Sequence, residues 1–442
     1  MKKLLATVCL SIFLFSANCL SQVASPYAVG TWQGFRSAAV SYTFDDNCPN
    51  QQKIAVPMFN EFGFKLTLFA VTANTGWAWT ADWTKLQAAA DQGHEVASHT
   101  VTHPNITGLA YASQYNEFKN AKDTIESRII GKKCVTMAYP YCETGYDTLV
   151  SRYYLAARIC SGSTEPKTPS NFMRISSIIC GSLGVNTSAA FKSRVDNAAV
   201  TKGWVVYLFH GINNDEPNSP YSPIAEDTLR KSLEYLKANP DKFWVAPFGT
   251  VAKYIRERNA ASVSEISATG DTIVVSVTDT MDNSIYDTPI TVRRALPESW
   301  INAIALQNGD TLYSKRADSA TVKYFMFDVV PDNGNVTLIR TNTTGVDQGS
   351  IPSLPGSFEL HQNYPNPFNP GTIISYYVPR GQNVEIKVFD MIGNEIATLV
   401  KEFKNAGFHT VKFSKGNLSS GVYFYRLQAE TYTSTKKLIL LK

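Results

Sequence analysis

The rhythm of apolar and polar residues changes three times along this chain of 442 residues. After a basic start at Lys2 and Lys3 comes a mostly apolar run over residues 4–15, closed by small and polar side chains. That is the layout of a cleaved secretory signal, and the run is shorter than the 18 or so apolar residues that span a bilayer. Small side chains at Cys19 and Ser21 place the cut before Gln22, giving a signal peptide over residues 1–21. A rival reading, lipid attachment at Cys19, is disfavoured because Ser16-Ala17-Asn18 lacks the apolar-then-small pattern of such processing. From residue 38 to about 258, short β-branched and aromatic runs alternate with helical ones. Strands are expected at 38–44 (AAVSYTF), 64–71 (FKLTLFAV), 94–97, 135–139, 154–159 and 204–210 (WVVYLFH). Helices fit between them, at 83–92 behind a Thr80 or Asp82 cap and before Gly93, and at 224–238 before Pro240. Six or seven such βα units predict an α/β fold whose parallel sheet closes, or nearly closes, into a (β/α) barrel.

Beyond about Ala260 the helical period disappears. Runs at 273–277, 289–292, 322–330 and 336–339, separated by Asp, Asn and Gly turns, predict a small β-sandwich over 261–340, Ig-like and more a spacer than a sugar binder. Residues 341–357 (TNTTGVDQGSIPSLPGS) read as a linker. A third region, 358–442, again alternates in strands at 373–378, 384–389, 395–399, 409–413, 422–427 and 433–440, a second small all-β sandwich.

Composition narrows the classes. Apolar residues make up 44% and charged residues 18%, which excludes a wholly disordered or coiled-coil chain. A formal charge of +4 is too weak to argue for nucleic acid or an anionic membrane surface. No segment argues for a transmembrane span, and a monomer is expected. Removing the signal leaves Cys48, Cys134, Cys142, Cys160 and Cys180, which allow one or two disulfides of unspecified pairing in an oxidising compartment. Cys48 and Cys142 are candidates for disulfide or packing roles rather than nucleophiles.

Three segments of the first region carry chemistry: Thr43-Phe44-Asp45-Asp46, Ser98-His99-Thr100-Val101-Thr102-His103-Pro104, and Leu208-Phe209-His210. Singly each is weak. Adjacent carboxylates at a strand end are commonly a cap or turn, and a lone His on an apolar strand is more often a satisfied core residue. If helical, His99 and His103 share one face with Cβ atoms roughly 5–6 Å apart, near enough to bind one ion. Pro104 biases His103 away from helix, so one turn ending there is expected. Together the segments say more. The chain has 6 His, and three of the four in this region fall at predicted strand ends, where a parallel βα sheet gathers its active site. A His-His-carboxylate set with an open position is a catalytic metal site, since a structural zinc is closed by four protein ligands. Successive strand side chains face opposite ways, so Asp45 and Asp46 share a site only where the chain leaves extended geometry, and their roles should then differ.

TFDD, SHTVTH and LFH, in this order and at these intervals, resemble the signature motifs of the polysaccharide deacetylases of the NodB and chitin deacetylase type, carbohydrate esterase family 4, over roughly residues 37–257. The resemblance implies a deformed (β/α) barrel and one divalent ion, Zn2+ first with Co2+ or Ni2+ as alternatives. It implies Asp46, His99 and His103 as ligands, Asp45 as catalytic base and His210 as catalytic acid. Tyr139-Pro140-Tyr141 matches the segment whose backbone N–H, here that of Tyr141, holds the oxyanion, with Tyr139 a candidate substrate contact. The family carries an arginine two residues before that proline, where this chain has Ala138; Arg174 is the candidate replacement and a further substrate contact. Trp77, Trp79 and Trp83 are candidates for a sugar-stacking wall, with core packing the equal alternative for that spacing. The implied activity is hydrolysis of N- or O-linked acetyl groups on a polysaccharide, acetylxylan or a chitin-type glycan, by an enzyme unit over 22–260. A catalytically impaired glycan-binding surface protein is the alternative, with Ala138 as its symptom. A glycosidase is disfavoured because its two carboxylates sit about 5 Å or more apart across the bond, a poor job for sequence neighbours.

At the other end, YPNPFNP (364–370), VFDMIGNEI (388–396), SSGVYFYRL (419–427) and the basic close with Lys436, Lys437 and Lys442 resemble the C-terminal sorting domain of proteins exported by type IX secretion. That resemblance implies the type IX machinery as a partner, and a secreted or cell-surface location.

Overall fold

The computed structural model describes residues 22–23, 25–76, 80–213, 221–308, 310–319, 322–341, 358–360, 362–363, 366–378, 381–404, 407–414, 416, 418–429 and 432–441. The expected signal peptide, Trp77, Trp79 and all but the first residue of the expected linker lie outside them.

Two short strands open the chain, β1 (Gln22–Val23) and β2 (Tyr27–Val29). Next come β3 (Ala38–Asp45), β4 (Thr67–Ala70), β5 (Glu95–Ser98), β6 (Thr136–Ala138), β7 (Ala156–Arg158), β8 (Ile178–Ile179), β9 (Trp204–Phe209) and β10 (Phe243–Val245). These eight form one sheet, β7-β6-β5-β4-β3-β9-β8, with β10 beside the first half of β3; every pairing is parallel. The sheet's two ends meet. Ile175, ahead of β8, bridges Arg158 of β7 in parallel, the Ile175 N–H donating to the Ala157 carbonyl at 2.9 Å and the Ile159 N–H to the Ile175 carbonyl at 2.8 Å. The barrel is deformed but ring-like. All eight residues of β3 are buried, which is why AAVSYTF reads as a continuous apolar run rather than an alternation.

Helices α1 (Val56–Phe62), α2 (Trp83–Asp91), α3 (Tyr111–Arg128), α4 (Asp147–Val150), α5 (Ser188–Thr201), α6 (Glu226–Lys237) and α7 (Phe248–Ala260) connect the strands. Of the two expected caps of α2 it is Asp82 that serves, its carboxylate accepting the Lys85 N–H at 2.8 Å. Gly93 then takes a φ of 90°, which a β-carbon would resist.

Beyond α7 the chain is antiparallel. Ser262–Ala268, Thr272–Thr278, Val336–Thr341, Asn302–Gln307 and Asp310–Thr311 form one sheet, and Ser314–Asp318, Lys323–Val329 and Ile290–Ala295 the other. Each sheet is completed from the far end of the chain: β1 runs parallel beside Ser262–Ala268, and β2 antiparallel beside Ile290–Ala295. Residues 22–23 and 27–29, expected within the unit of 22–260, therefore build the sandwich instead. Strands of two and three residues show no period to read, and their backbone groups are satisfied only by a partner distant in sequence. One continuous core runs from Trp32, Phe69, Trp204 and Phe248 through Val251 and Ile255 of α7 into Val263, Phe327 and Leu338 of the sandwich. The sandwich is thus welded to the barrel, where the sequence suggested a spacer. The C-terminal region has its own core of Ile374, Ile386, Tyr425 and Leu438 between a three-stranded and a four-stranded antiparallel sheet. No helix among the described residues is long and apolar enough to cross a membrane.

Candidate metal centre and active site

At the carboxyl end of β3 the backbone leaves extended geometry where the twin aspartates require it: Asp46 has φ 70° and Asn47 φ 58°. Asp45 keeps its strand position with a buried side chain, while Asp46 turns to the rim, one third exposed. Asn47 secures the bend, its Oδ1 accepting the Val71 N–H at 3.0 Å and its Nδ2 donating to Thr75 Oγ1 at 2.6 Å.

β5 delivers His99, and the following loop delivers His103. This loop is not the helical turn that its spacing suggested. Thr100 and His103 have φ 68° and 58°, and Glu117 of α3 accepts from the Val101 and Thr102 N–H groups and the Thr102 hydroxyl at 2.7–2.9 Å, holding the loop open. The two imidazoles converge all the same, with ring centroids 4.8 Å apart. His99 Nε2 and His103 Nε2 lie 3.6 and 3.5 Å from Asp46 Oδ1, and the ligand atoms of all three residues fall within 4.8 Å of one another. Donors on 2.0–2.1 Å tetrahedral arms stand about 3.4 Å apart, so the three fit one divalent ion without rearrangement beyond a few tenths of an ångström at the two measured edges. His99 Nδ1 donates to the Ala138 carbonyl at 2.9 Å, which leaves Nε2 with its lone pair free for a metal. Burial pushes the His99 pKa down against the pull of Asp45 and Asp46, keeping the ring neutral as ligation requires.

Asp45 meets a cation, but not the expected one. Arg174 forms an exposed pair with Asp147 at 3.0 Å. The guanidinium on Asp45 is that of Arg158, which reaches across the barrel from β7, donating to Asp45 Oδ2 at 2.5 Å and to Thr43 Oγ1 at 3.0 Å. Arg158 is the direct register partner of Ala138, so the two positions lie side by side on neighbouring strands at the same height. A lone arginine inside the apolar run YLAARI was the available signal. Burial drives the Asp45 carboxyl up, but Arg158 and then His99 and His210 outweigh it, and the group is held below the ordinary carboxylate range. Its Oδ1 is buried with no partner among the described residues, an acceptor kept free.

His210 follows β9, with Nε2 3.7 Å from Asp46 Oδ2. Burial lowers its pKa against the pull of Asp45 and Asp46, and its Nδ1 is buried without a partner among the described residues. Gln51 ties the two strand ends, its Nε2 donating to the carbonyls of Asp45 at 2.5 Å and His210 at 3.0 Å. Tyr141 has φ 55° and an exposed ring 4.7 Å from His103. Cys142 beside it is bonded to Cys160, two residues past Arg158, so one disulfide joins the loop of Tyr141 to the end of β7; Cys48, Cys134 and Cys180 are not disulfide-bonded. Tyr139, expected beside substrate, is instead a core residue, 1% exposed and edge-on to Phe118. Its side chain follows the inward alternation of the strand that Tyr141 has already left. Tyr221, which no motif marked, stands half-exposed 4.8 Å from the His210 ring. His94, the fourth histidine of the barrel, has a structural role: Nδ1 accepts the Leu66 N–H, and burial pushes its pKa down to about 3.

Six non-glycine residues at this rim, Asp46, Asn47, Thr100, His103, Tyr141 and Cys142, have positive φ. Strain of order 1–3 kcal/mol each persists only where the surroundings over-determine it, and it concentrates at functional sites.

The model of the polysaccharide deacetylase family matches residues 33–157, and that of the secretion system C-terminal sorting domain matches residues 362–441. A gellan lyase of Bacillus sp. is 27% identical over 330 residues, which is 70% of this chain but 13% of that protein. The chain thus spans a small part of that relative's length. Among solved structures, the esterase family 4 domain of a multidomain xylanase from the hindgut metagenome of Trinervitermes trinervoides is 18% identical, with a TM-score of 0.34, covering 48% of this chain and 89% of that one. A family 4 carbohydrate esterase from Streptomyces lividans, solved with acetate, is 19% identical with a TM-score of 0.33, covering 46% and 89%.

Proposed function

From a chain that carries a polysaccharide deacetylase domain followed by a secretion-system sorting domain, we propose a metal-dependent enzyme that removes acetyl groups from an extracellular polysaccharide after export by a signal peptide and type IX secretion. The observation that carries this reading is the convergence of Asp46, His99 and His103 on one point, 3.5–3.6 Å between the measured donors, beside a buried Asp45 held ionised by Arg158. When bound, a divalent ion supplies Lewis acidity and brings the pKa of water from 15.7 toward about 7.

The remaining work falls to the chain. Asp45, ionised and with Oδ1 unengaged, accepts the proton of the attacking water; its second oxygen is anchored by Arg158, so it cannot swing away. The Tyr141 N–H, on a backbone fixed in the left-handed region, is a preorganised donor for the oxyanion of the tetrahedral intermediate, worth about 3–4 kcal/mol in comparable sites. His210, across the site, gives a proton to the departing amine or alkoxide. What favours this reading over an impaired glycan binder is Arg158, which meets Asp45 from the register position beside Ala138. Export suits foreign biomass better than the cell's own wall, and acetylxylan is favoured slightly over chitinous glycans. The test is acetate release from acetylxylan and from chitooligosaccharides, with and without a chelator. Chelator-sensitive release from one of them is expected, and acetate release that persists unchanged in a chelator-stripped protein would sink the reading.

A further inference from the structure

Two tyrosines next to this rim are exposed in a way the catalytic reading leaves unused. Tyr111, at the start of α3, is 44% exposed, and Tyr146, just ahead of α4, is 53% exposed, yet their rings lie 5.6 Å apart and tilted by 46°. They form a shallow aromatic ledge held from beneath by Gln114 of α3, a buried amide with several bonds. Gln114 Oε1 accepts the Tyr146 N–H at 3.1 Å, while Nε2 donates to the carbonyls of Ile106 at 3.0 Å and Leu109 at 3.1 Å. Gly145 fits into the same support so closely that a β-carbon would sit 2.6 Å from Gln114 Oε1 and 2.9 Å from the Phe118 ring. Thr107 Oγ1 adds bonds to Glu143 and to the Thr144 carbonyl at 3.0 and 3.2 Å, joining the loop after His103 to the loop after Tyr141. A water-facing pair of aromatic rings on a held backbone has the character of a recognition surface, because the loop beneath it is already tied down before any ligand arrives. Tyr146 follows Tyr141 by five residues, so its backbone lies no more than about 18 Å from that of the proposed oxyanion donor, and the Thr107 bonds tie the two loops together.

We propose that the Tyr111–Tyr146 ledge is a sugar-stacking subsite that holds a pyranose ring of the same polysaccharide whose acetyl group occupies the metal centre, several units from the scissile bond. The inference rests on the deacetylase reading above. The apolar face of a pyranose matches a tyrosine ring, and the phenol hydroxyls remain at the edge for its own hydroxyls. The enzyme therefore selects long chains over short ones.

Acetate release from chitohexaose and acetylated xylohexaose is measured against release from 4-nitrophenyl acetate for Tyr146→Ala, Tyr111→Ala and Tyr146→Phe, alongside retention of each protein in gels containing acetylxylan or a soluble chitin derivative. For each alanine variant the ratio of kcat/KM on the preferred hexasaccharide to that on the nitrophenyl ester falls about tenfold, carried by KM, the loss of one contact of about 1.4 kcal/mol. Tyr146→Phe restores the ratio. An unchanged ratio, or equal loss on both substrates, overturns the subsite. If no protein releases acetate at all, the deacetylase reading fails separately, and the gels still decide the ledge: retention weakened by Tyr146→Ala supports it, and retention unaltered contradicts it.

Discussion

Two buried carboxylates on two sides of the barrel have opposite fates. Asp45, at the rim that gathers the candidate metal site, is met by Arg158, which holds its carboxyl below the ordinary range. Glu257 of α7, at the seam with the sandwich, accepts only the Thr288 N–H at 3.0 Å, has Oε2 without a partner among the described residues, and is pushed by burial up to about 8. The nearby Lys253 is already paired with Asp287 at 2.5 Å. Burial alone therefore does not keep a carboxylate ionised. A cation aimed at it does, and the molecule places one at the rim and withholds one at the seam. The consequences for stability run in opposite directions. Asp45, with its folded pKa depressed, contributes stability above its unfolded pKa that is lost as pH falls through the folded value. Glu257, with its folded pKa raised, favours the fold fully below 4.5, and that contribution is lost as pH rises through about 8.

The strongest blow to the comparison is Asp45→Asn. It should cut acetate release by about 10²–10⁴, the usual worth of a positioned acid or base, while bound metal stays near the parent's; because the Arg158 guanidinium is left buried without its anion, unfolding should cost up to about 3–5 kcal/mol less. A variant that kept turning over would remove Asp45 from the mechanism. Arg158→Ala comes next. Leaving Asp45 buried without its partner should cost about 3–5 kcal/mol in denaturant unfolding, and the acid limb of the kcat/KM profile should move to higher pH as the Asp45 pKa climbs. Because Ala138 is the register partner of Arg158, adding Ala138→Arg to this variant should recover part of the rate and return the acid limb; no recovery would mean that the strand position, and not the charge, is what matters. The smallest effect is expected at the seam. Glu257→Gln should flatten the fall in melting temperature between pH 5 and 8 and stabilise the protein by about 1 kcal/mol or more at the upper end, with acetate release unaltered. A steeper fall would show that the seam carboxylate is ionised after all.

How much of this the sequence discloses depends on the range of each interaction. β3 and β9 were legible because a strand buried on both faces writes itself as an apolar run, and the motif residues at their ends followed directly. The candidate metal donors are legible as residue types, but the spacing suggests a helical turn for the loop that carries His103, whereas Glu117 holds that loop open from a helix fourteen residues downstream. Beyond standing alone in an apolar run, Arg158 carries no local signal of its role, because its partner lies 113 residues away and only barrel closure brings the two together. The same holds for β1 and β2, whose completion of the sandwich rests on pairings across more than 200 residues. Tyr139 and Tyr141 show the limit at its finest: two tyrosines two positions apart, one in the core and one at the rim, separated by a single positive φ.

The most direct measurement is the metal content of the purified protein set against its acetate release, for the parent and for Asp46→Ala and His99→Ala. One divalent ion per chain is predicted in the parent, with ion and activity lost together in both variants. A parent that deacetylates with no ion bound, or variants that keep a full complement of metal, would contradict the account.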